Sequence, residues 1–142
     1  MDIQVAVLCD AATDYNLKLN ILGTFDTIYA AKMPAIHPQC SIALRMTFSK
    51  GEEGTHSVNL NFVDEDGKLV MPSIPINMDV AVPDDSIFIS RNAIVNIQQL
   101  KFEKPGLYSI DIAMDGRQEG SIPLLVKAMP PPQQPGQEMA EQ

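Results

Sequence analysis

Few residues of this chain could do chemistry. It carries two histidines, His37 and His56, two cysteines, Cys9 and Cys40, and eighteen Asp and Glu residues. His37 and Cys40 stand three apart, and with Cys9 from another strand they would offer zinc three ligands. Zinc sites ordinarily draw on a second Cys or His pair, which is missing here. A nucleophilic pairing of Cys40 with His37 would need an electropositive, partly exposed thiol. Cys40 instead opens an alternating apolar strand and Cys9 closes one, so both are expected to be buried thiols acting as small hydrophobes. His37 lies in a connection between Pro34 and Pro38, and His56 begins a strand after a glycine-containing loop. Neither belongs to a Gly-x-Ser-x-Gly elbow or a catalytic cysteine signature. Both are expected at loops or edges, in contact with water.

The carboxylates suggest calcium, which takes six to eight oxygens from flexible loops. Asp10, Asp14 and Asp26 flank one end of the first two strands, and Asp64-Glu65-Asp66-Gly67 forms a second acidic turn. That turn lacks the spacing of an EF-hand loop, and its residues are those of a solvated hairpin. Asp84-Asp85 reads the same way. No residue is therefore assigned as catalytic, cofactor-binding or metal-ligating, and no cofactor is expected.

Composition narrows the classes further. Ten Lys and Arg against eighteen acids leave a net charge of −8, which disfavours nucleic acid and anionic membrane surfaces, since both select clustered positive charge. The five Phe and three Tyr do not interleave with basic residues, and Phe48, Phe62 and Tyr108 fall on core-facing positions. No glycine-rich phosphate loop and no strand–helix alternation supports a nucleotide site. No apolar run approaches the roughly 20 residues of a membrane helix. The start, Met1-Asp2-Ile3-Gln4-Val5, lacks the basic and apolar regions of a secretory signal, so a cytoplasmic protein is expected.

The elements that must position these residues are strands. Apolar residues alternate at Cys40, Ile42, Leu44, Met46 and Phe48, with Ser41, Arg45, Thr47 and Ser49 facing water. The same period of two runs through Val58 to Phe62, Ile74 to Val82 and Tyr108 to Met114, and no stretch keeps a helical period. Weaker strands are expected over Ile3 to Leu8, over Lys18 to Ala30 with a bulge at Gly23, within Ile87 to Leu100, and over Ser121 to Val126. The only place left for a helix is a turn or so near Asp10 to Asn16. Asp64 to Gly67 and Asp115-Gly116 are hairpin turns, Lys50 to Gly54 is a longer hairpin loop, and Met33 to Pro38 and Pro83 to Ser86 cross between sheets. The expected fold is all-β: a two-sheet antiparallel β-sandwich, immunoglobulin-like, of about eight strands, with a jelly roll or C2-type order as alternatives. It occupies residues 1–128, and 129–142 form a disordered Pro/Gln-rich tail. Pro75 marks its strand as an edge or its neighbour. Met46, Met78 and Met114 are expected in the core; Met33, Met71 and Met129 could instead offer an adaptable contact surface.

Two stretches carry a resemblance. Asn20-Ile21-Leu22-Gly23-Thr24-Phe25-Asp26-Thr27-Ile28, preceded by Leu8-Cys9-Asp10-Ala11-Ala12, resembles the opening of an uncharacterised bacterial family of small immunoglobulin-like β-sandwich proteins, a domain of unknown function. Leu100-Lys101-Phe102-Glu103-Lys104-Pro105-Gly106-Leu107-Tyr108-Ser109-Ile110, ending in Asp115-Gly116, is similar to its closing hairpin. The resemblance implies the fold, a corner tyrosine at Tyr108 whose hydroxyl bonds back to backbone, and a bacterial source. It supplies no activity.

Three functions of different class follow. The first is a non-enzymatic protein-interaction or structural module, a homo-oligomer or the binder of an unidentified protein, using strand edges or end loops. The second is a calcium- or small-ligand-binding sandwich built on the acidic loops. The third, more remote, is a hydrolase with an unrecognised site around His37.

Overall fold

The computed structural model describes residues 1–129, so the tail expected over 129–142 lies outside the described residues from Pro130 on. Among the described residues nine strands form, one more than the about eight expected: β1 (Asp2–Tyr15), β2 (Lys18–Thr24), β3 (Thr27–Ala30), β4 (Ala35–Ser49), β5 (Gly54–Val63), β6 (Ile74–Val80), β7 (Phe88–Phe102), β8 (Gly106–Met114) and β9 (Arg117–Ala128). They make a four-stranded sheet in the order β2-β1-β4-β7 and a five-stranded sheet in the order β3-β9-β8-β5-β6. The second sheet curls into a half-barrel. One core joins the two, with Ile42, Leu44, Met46 and Phe48 from β4 clustered with Val58, Leu60 and Phe62 from β5 and Ile110, Ile112 and Met114 from β8. Period-two alternation accounts for these faces. Met78 also lies in the core; Met33 and Met71 pack partly against it, and Met129 is exposed.

The extra strand comes from splitting Lys18 to Ala30. The chain leaves the first sheet after Thr24 and enters the second at Thr27, instead of continuing through a bulge. Phe25 N–H donates to the Leu8 carbonyl and Leu125 N–H to that of Asp26, so the crossing backbone is satisfied. Arriving this way, β3 runs parallel to β9, and the sheets are not purely antiparallel. Lys50 to Gly54 likewise passes from β4 to β5 between sheets, with one 3-10 turn at Lys50–Glu52, and is not a hairpin. β6 is the edge that Pro75 marked, and Asp115-Gly116 closes the β8–β9 hairpin. Gly106 opens β8, and the Tyr108 hydroxyl donates to the Lys104 carbonyl at 2.6 Å, forming the expected corner.

No helical turn forms at Asp10 to Asn16. β1 runs on to Tyr15 and turns through Asn16 and Leu17, both at positive φ (52° and 64°), into β2. That two-residue turn matches the twist of a hairpin, and the Asp14 carboxylate steadies it by accepting from Leu17 N–H. β1 pairs with β4 only as far as Cys9↔Ser41. Beyond it, Asp10 to Gly23 form an arm whose two strands pair only with each other. A straight arm would carry Leu17 about 30 Å from the Val5↔Arg45 pair. Instead, Arg45 Nη1 donates to the Leu17 carbonyl at 2.9 Å, so the arm folds back over the outer face of the four-stranded sheet. This explains why Ser41 and Ala43, on that outer face, are buried.

Candidate interaction surface

Four strands bound the two sheets, and one of them is long and bare. β2 belongs to the arm, β3 has four residues, and β6 has seven and carries Pro75. β7 has fifteen and pairs with β4 from Phe88↔Ser49 to Phe102↔Ala35. Among the described residues its backbone has no partner on the other side. Edge strands are usually guarded by shortness, proline, bulges or inward charge. β7 contains neither Pro nor Gly, and no Asp or Glu occurs between Asp85 and Glu103. Its regular part ends only at Gln99, which adopts φ 56°. Arg91, its one charge before Lys101, donates from Nη1 to the Asp79 carbonyl of β6 at 2.6 Å. On its inner side, Ile89, Ala93 and Val95 are only half-buried against the core. Ile87 and Phe88, where the strand begins, are 85% and 59% exposed.

The arm tip settles beside this edge. Arg45 Nε donates to Gln4 Oε1 at 2.8 Å, and its Nη1 donates to Asn92 Oδ1 at 2.7 Å as well as to Leu17. Asn92 Nδ2 in turn donates to Asp14 Oδ2 at 2.9 Å. This polar latch ties the arm to β4 and β7 and leaves Tyr15 and Leu17 exposed. A shallow groove of about 410 Å³ runs between Asp2, Gln4, Thr47 and Phe88 on the same side. Bare backbone and exposed apolar side chains thus share one flank of the molecule, the combination that recruits another strand.

A second polar cluster holds the opposite connections together. His56 Nδ1 donates to Asp115 Oδ2 at 2.6 Å and Nε2 to the Glu52 carbonyl at 2.5 Å. Both partners only accept, so the ring carries both protons. The hydrogen bond to Asp115 raises the His56 pKa, with the Glu52 carbonyl adding to it. Asp115 is lowered, first by Ser57 N–H and then by His56. Glu52 is held down to about 2, chiefly by its pairing with the Met1 ammonium. The raised histidine stabilises the fold fully below its unfolded value near 6.5, and that contribution is lost as pH rises through its folded value. The lowered aspartate acts oppositely: its contribution is present above about 3.8 and lost as pH falls through its folded value. Urea unfolding should therefore show a loss of stability as pH rises from 6 through the titration of His56. In His56→Gln this alkaline step should vanish; its persistence would assign the titration to another group.

The residues singled out from sequence are scattered. Cys40 lies in the core and Cys9 pairs with Ser41, so the two thiols face opposite sides of one sheet; both are free. Burial pushes the Cys40 thiol up to about 11, far from a thiolate at neutral pH. His37 packs against Phe25 with ring centres 5.4 Å apart and planes tilted by 44°, and lines a cleft with no carboxylate among its lining residues. His56 is half-buried in its ion pair, not a water-facing edge residue. Asp14 serves the latch, Asp26 accepts from the Thr27 hydroxyl, and Asp10 lies against Gly23. Asp64 caps its own turn by accepting from the Asp66 and Lys68 N–H groups, and Asp66 pairs with Lys104 at 3.9 Å. Among the described residues no three His, Cys, Asp or Glu side chains converge as metal ligands, and no helix is long and apolar enough to cross a membrane. Sequence reasoning missed the β7 edge and the latch. The acid-free, Pro-free run from Ser86 to Phe102 was the available signal for the edge.

Comparison with known proteins gives a family model, described as a family of unknown function (DUF6941), that matches residues 4–127. No curated protein matches the chain.

Proposed function

The chain belongs to this family of unknown function, and from that premise we propose a non-enzymatic protein-interaction module whose contact surface is the free edge of β7. The observation that carries this is a fifteen-residue edge strand without acid, proline or glycine, flanked by exposed Ile87, Phe88, Tyr15 and Leu17. An extended strand from a partner would satisfy the β7 backbone groups that are unpaired among the described residues and cover the half-buried Ile89, Ala93 and Val95. The polar latch supports the same role, because it holds the arm tip beside the edge. We read the architecture as an immunoglobulin-like sandwich, supported by the Tyr108 corner, and the source as bacterial, supported by the sequence resemblance. The two free, buried thiols support a reducing compartment such as the cytoplasm. The net charge of −8 argues against nucleic acid or an anionic membrane as the partner.

The test places a photo-crosslinking residue at Asn96 on β7 or at Asn77 on β6, in cells that naturally make the protein. A crosslinked polypeptide of one fixed mass from position 96 and none from position 77 is the expected result. Equal products from both positions, or none from 96, would overturn the proposal.

A further inference from the structure

We infer that the arm from Asp10 to Gly23 is a hinged strap, which lifts from the outer face of the four-stranded sheet while both sheets stay folded. This stands apart from the edge reading, since the strap needs no partner on β7 in order to open. The arm has no anchor in the core. Among the described residues none from Asp10 to Gly23 is buried; Ala11, Ala12, Leu19 and Ile21 are half-buried and the rest are exposed. The apolar cluster takes Leu8 before the arm and Phe25 after it, and nothing between them. A segment with so few buried apolar contacts opens at a lower free energy than the core on which it lies.

The arm also has a hinge. Pairing of β1 to β4 ends at Cys9↔Ser41, and β2 ends at Thr24, where the chain crosses to the other sheet. Asp10 and Gly23 are the first residues past these anchors, and the pairs Cys9↔Thr24 and Ala11↔Leu22 flank them. Gly23 takes φ +66°, and a Cβ there would run into the Asp10 carboxylate. Both strands can therefore change direction at one level, with the backbone of a few residues absorbing the movement.

What holds the strap down is polar and sits at its tip. The Leu17 carbonyl accepts from Arg45 Nη1 at 2.9 Å and from Asn92 Nδ2 at 3.3 Å, and Asp14 Oδ2 accepts from Asn92 Nδ2 at 2.9 Å. Leu17 and Asp14 are exposed, so water replaces these partners once the tip lifts, and opening strands no buried polar group on the strap. Beneath it, Ser41 and Ala43 offer small side chains and little apolar area. Lifting uncovers these two residues and the Ser41 hydroxyl bond to Asn96.

The test reads the covered face. Ala43→Cys places a thiol on a fully buried position beneath the strap, and Ser41→Cys places a second. Alkylation by iodoacetamide, mapped by mass spectrometry, should modify each at least about tenfold faster than Cys40, whose place in the core makes it a reporter of global unfolding. Arg45→Ala removes the charged donor of the latch and should speed modification at 41 and 43 by about tenfold or more, with the circular dichroism spectrum unchanged. Gly23→Ala, which strains the fold-back, should act in the same direction. If both introduced thiols react only as fast as Cys40, the arm opens only when the whole domain unfolds, and the inference is overturned. Rates at 41 and 43 that do not respond to Arg45→Ala or Gly23→Ala overturn it as well, because the face is then reached without release of the latch.

Discussion

Leu44→Ala and Ile112→Ala are each expected to lower the unfolding free energy by about 2–5 kcal/mol, the range for large-to-small changes in packed cores. Leu44 is 1% exposed at the middle of β4, and its register partners on either side, Ala6 and Ala93, are both alanines. It therefore fills volume that its neighbours leave open, and a third alanine there would leave a cavity with little to collapse into it. Ile112 is fully buried in the other sheet, between Leu60 and Gly120. Gly120 contributes no side chain, and the space over it is taken by Ile3, so Ile112 has no cross-strand side chain on that side. The loss should appear as a lower urea midpoint at unchanged slope, since the unfolded chain exposes nearly the same surface. Asn59→Ala, on the outer face of β5, should stay within about 0.5 kcal/mol. A midpoint near wild type for Leu44→Ala would show that the face of β4 is not core.

Gly106→Ala is expected to destabilise by about 1–3 kcal/mol, through backbone rather than packing. Gly106 sits at φ +147°, a conformation that residues with a Cβ rarely adopt, and a Cβ there would also meet the Glu65 carboxylate. That carboxylate accepts from Leu107 N–H at 2.9 Å, so the loop after β5 is pinned to the start of β8. Tyr108 follows immediately, and its corner hydrogen bond depends on the same entry into the strand. Glu65→Ala alone removes one exposed hydrogen bond, worth about 1 kcal/mol. If φ is the main cause, Glu65→Ala combined with Gly106→Ala will remain at least as unstable as Gly106→Ala. Full recovery in the double variant would instead assign the loss to the collision with Glu65.

Much of the architecture was legible because it is written at a period of two. The faces of β4, β5, β6 and β8 follow from alternation that any local window contains. Gly67, Gly106 and Gly116 all take the positive φ that their turns require. Pro75 identified an edge because a missing N–H is a local property. The misplacements have a common cause. Lys18 to Ala30 reads as one strand because Phe25 and Asp26 do not differ in type from a bulge, although they carry the chain from one sheet to the other. The Asn16-Leu17 turn lacks the glycine that usually announces such a hairpin, so the arm looked like an apolar strand followed by a helical turn.

The candidate surface was even less visible. Asp14 read as one of several loop carboxylates, yet it is committed to Asn92, 78 residues away. Ser41 read as water-facing, yet it is buried under the arm and donates to Asn96. By itself, then, the sequence determined an all-β chain, its inward faces, most of its turns and an acidic net charge, because each is set by composition or by neighbours a few residues apart. The tertiary structure alone decided that Asp10 to Gly23 fold back as a latched arm, that β3 runs parallel to β9, and that β7 is left as the long bare edge among the described residues. Those outcomes depend on which distant strands win each other's backbone hydrogen bonds, and that competition leaves no periodic trace in the chain.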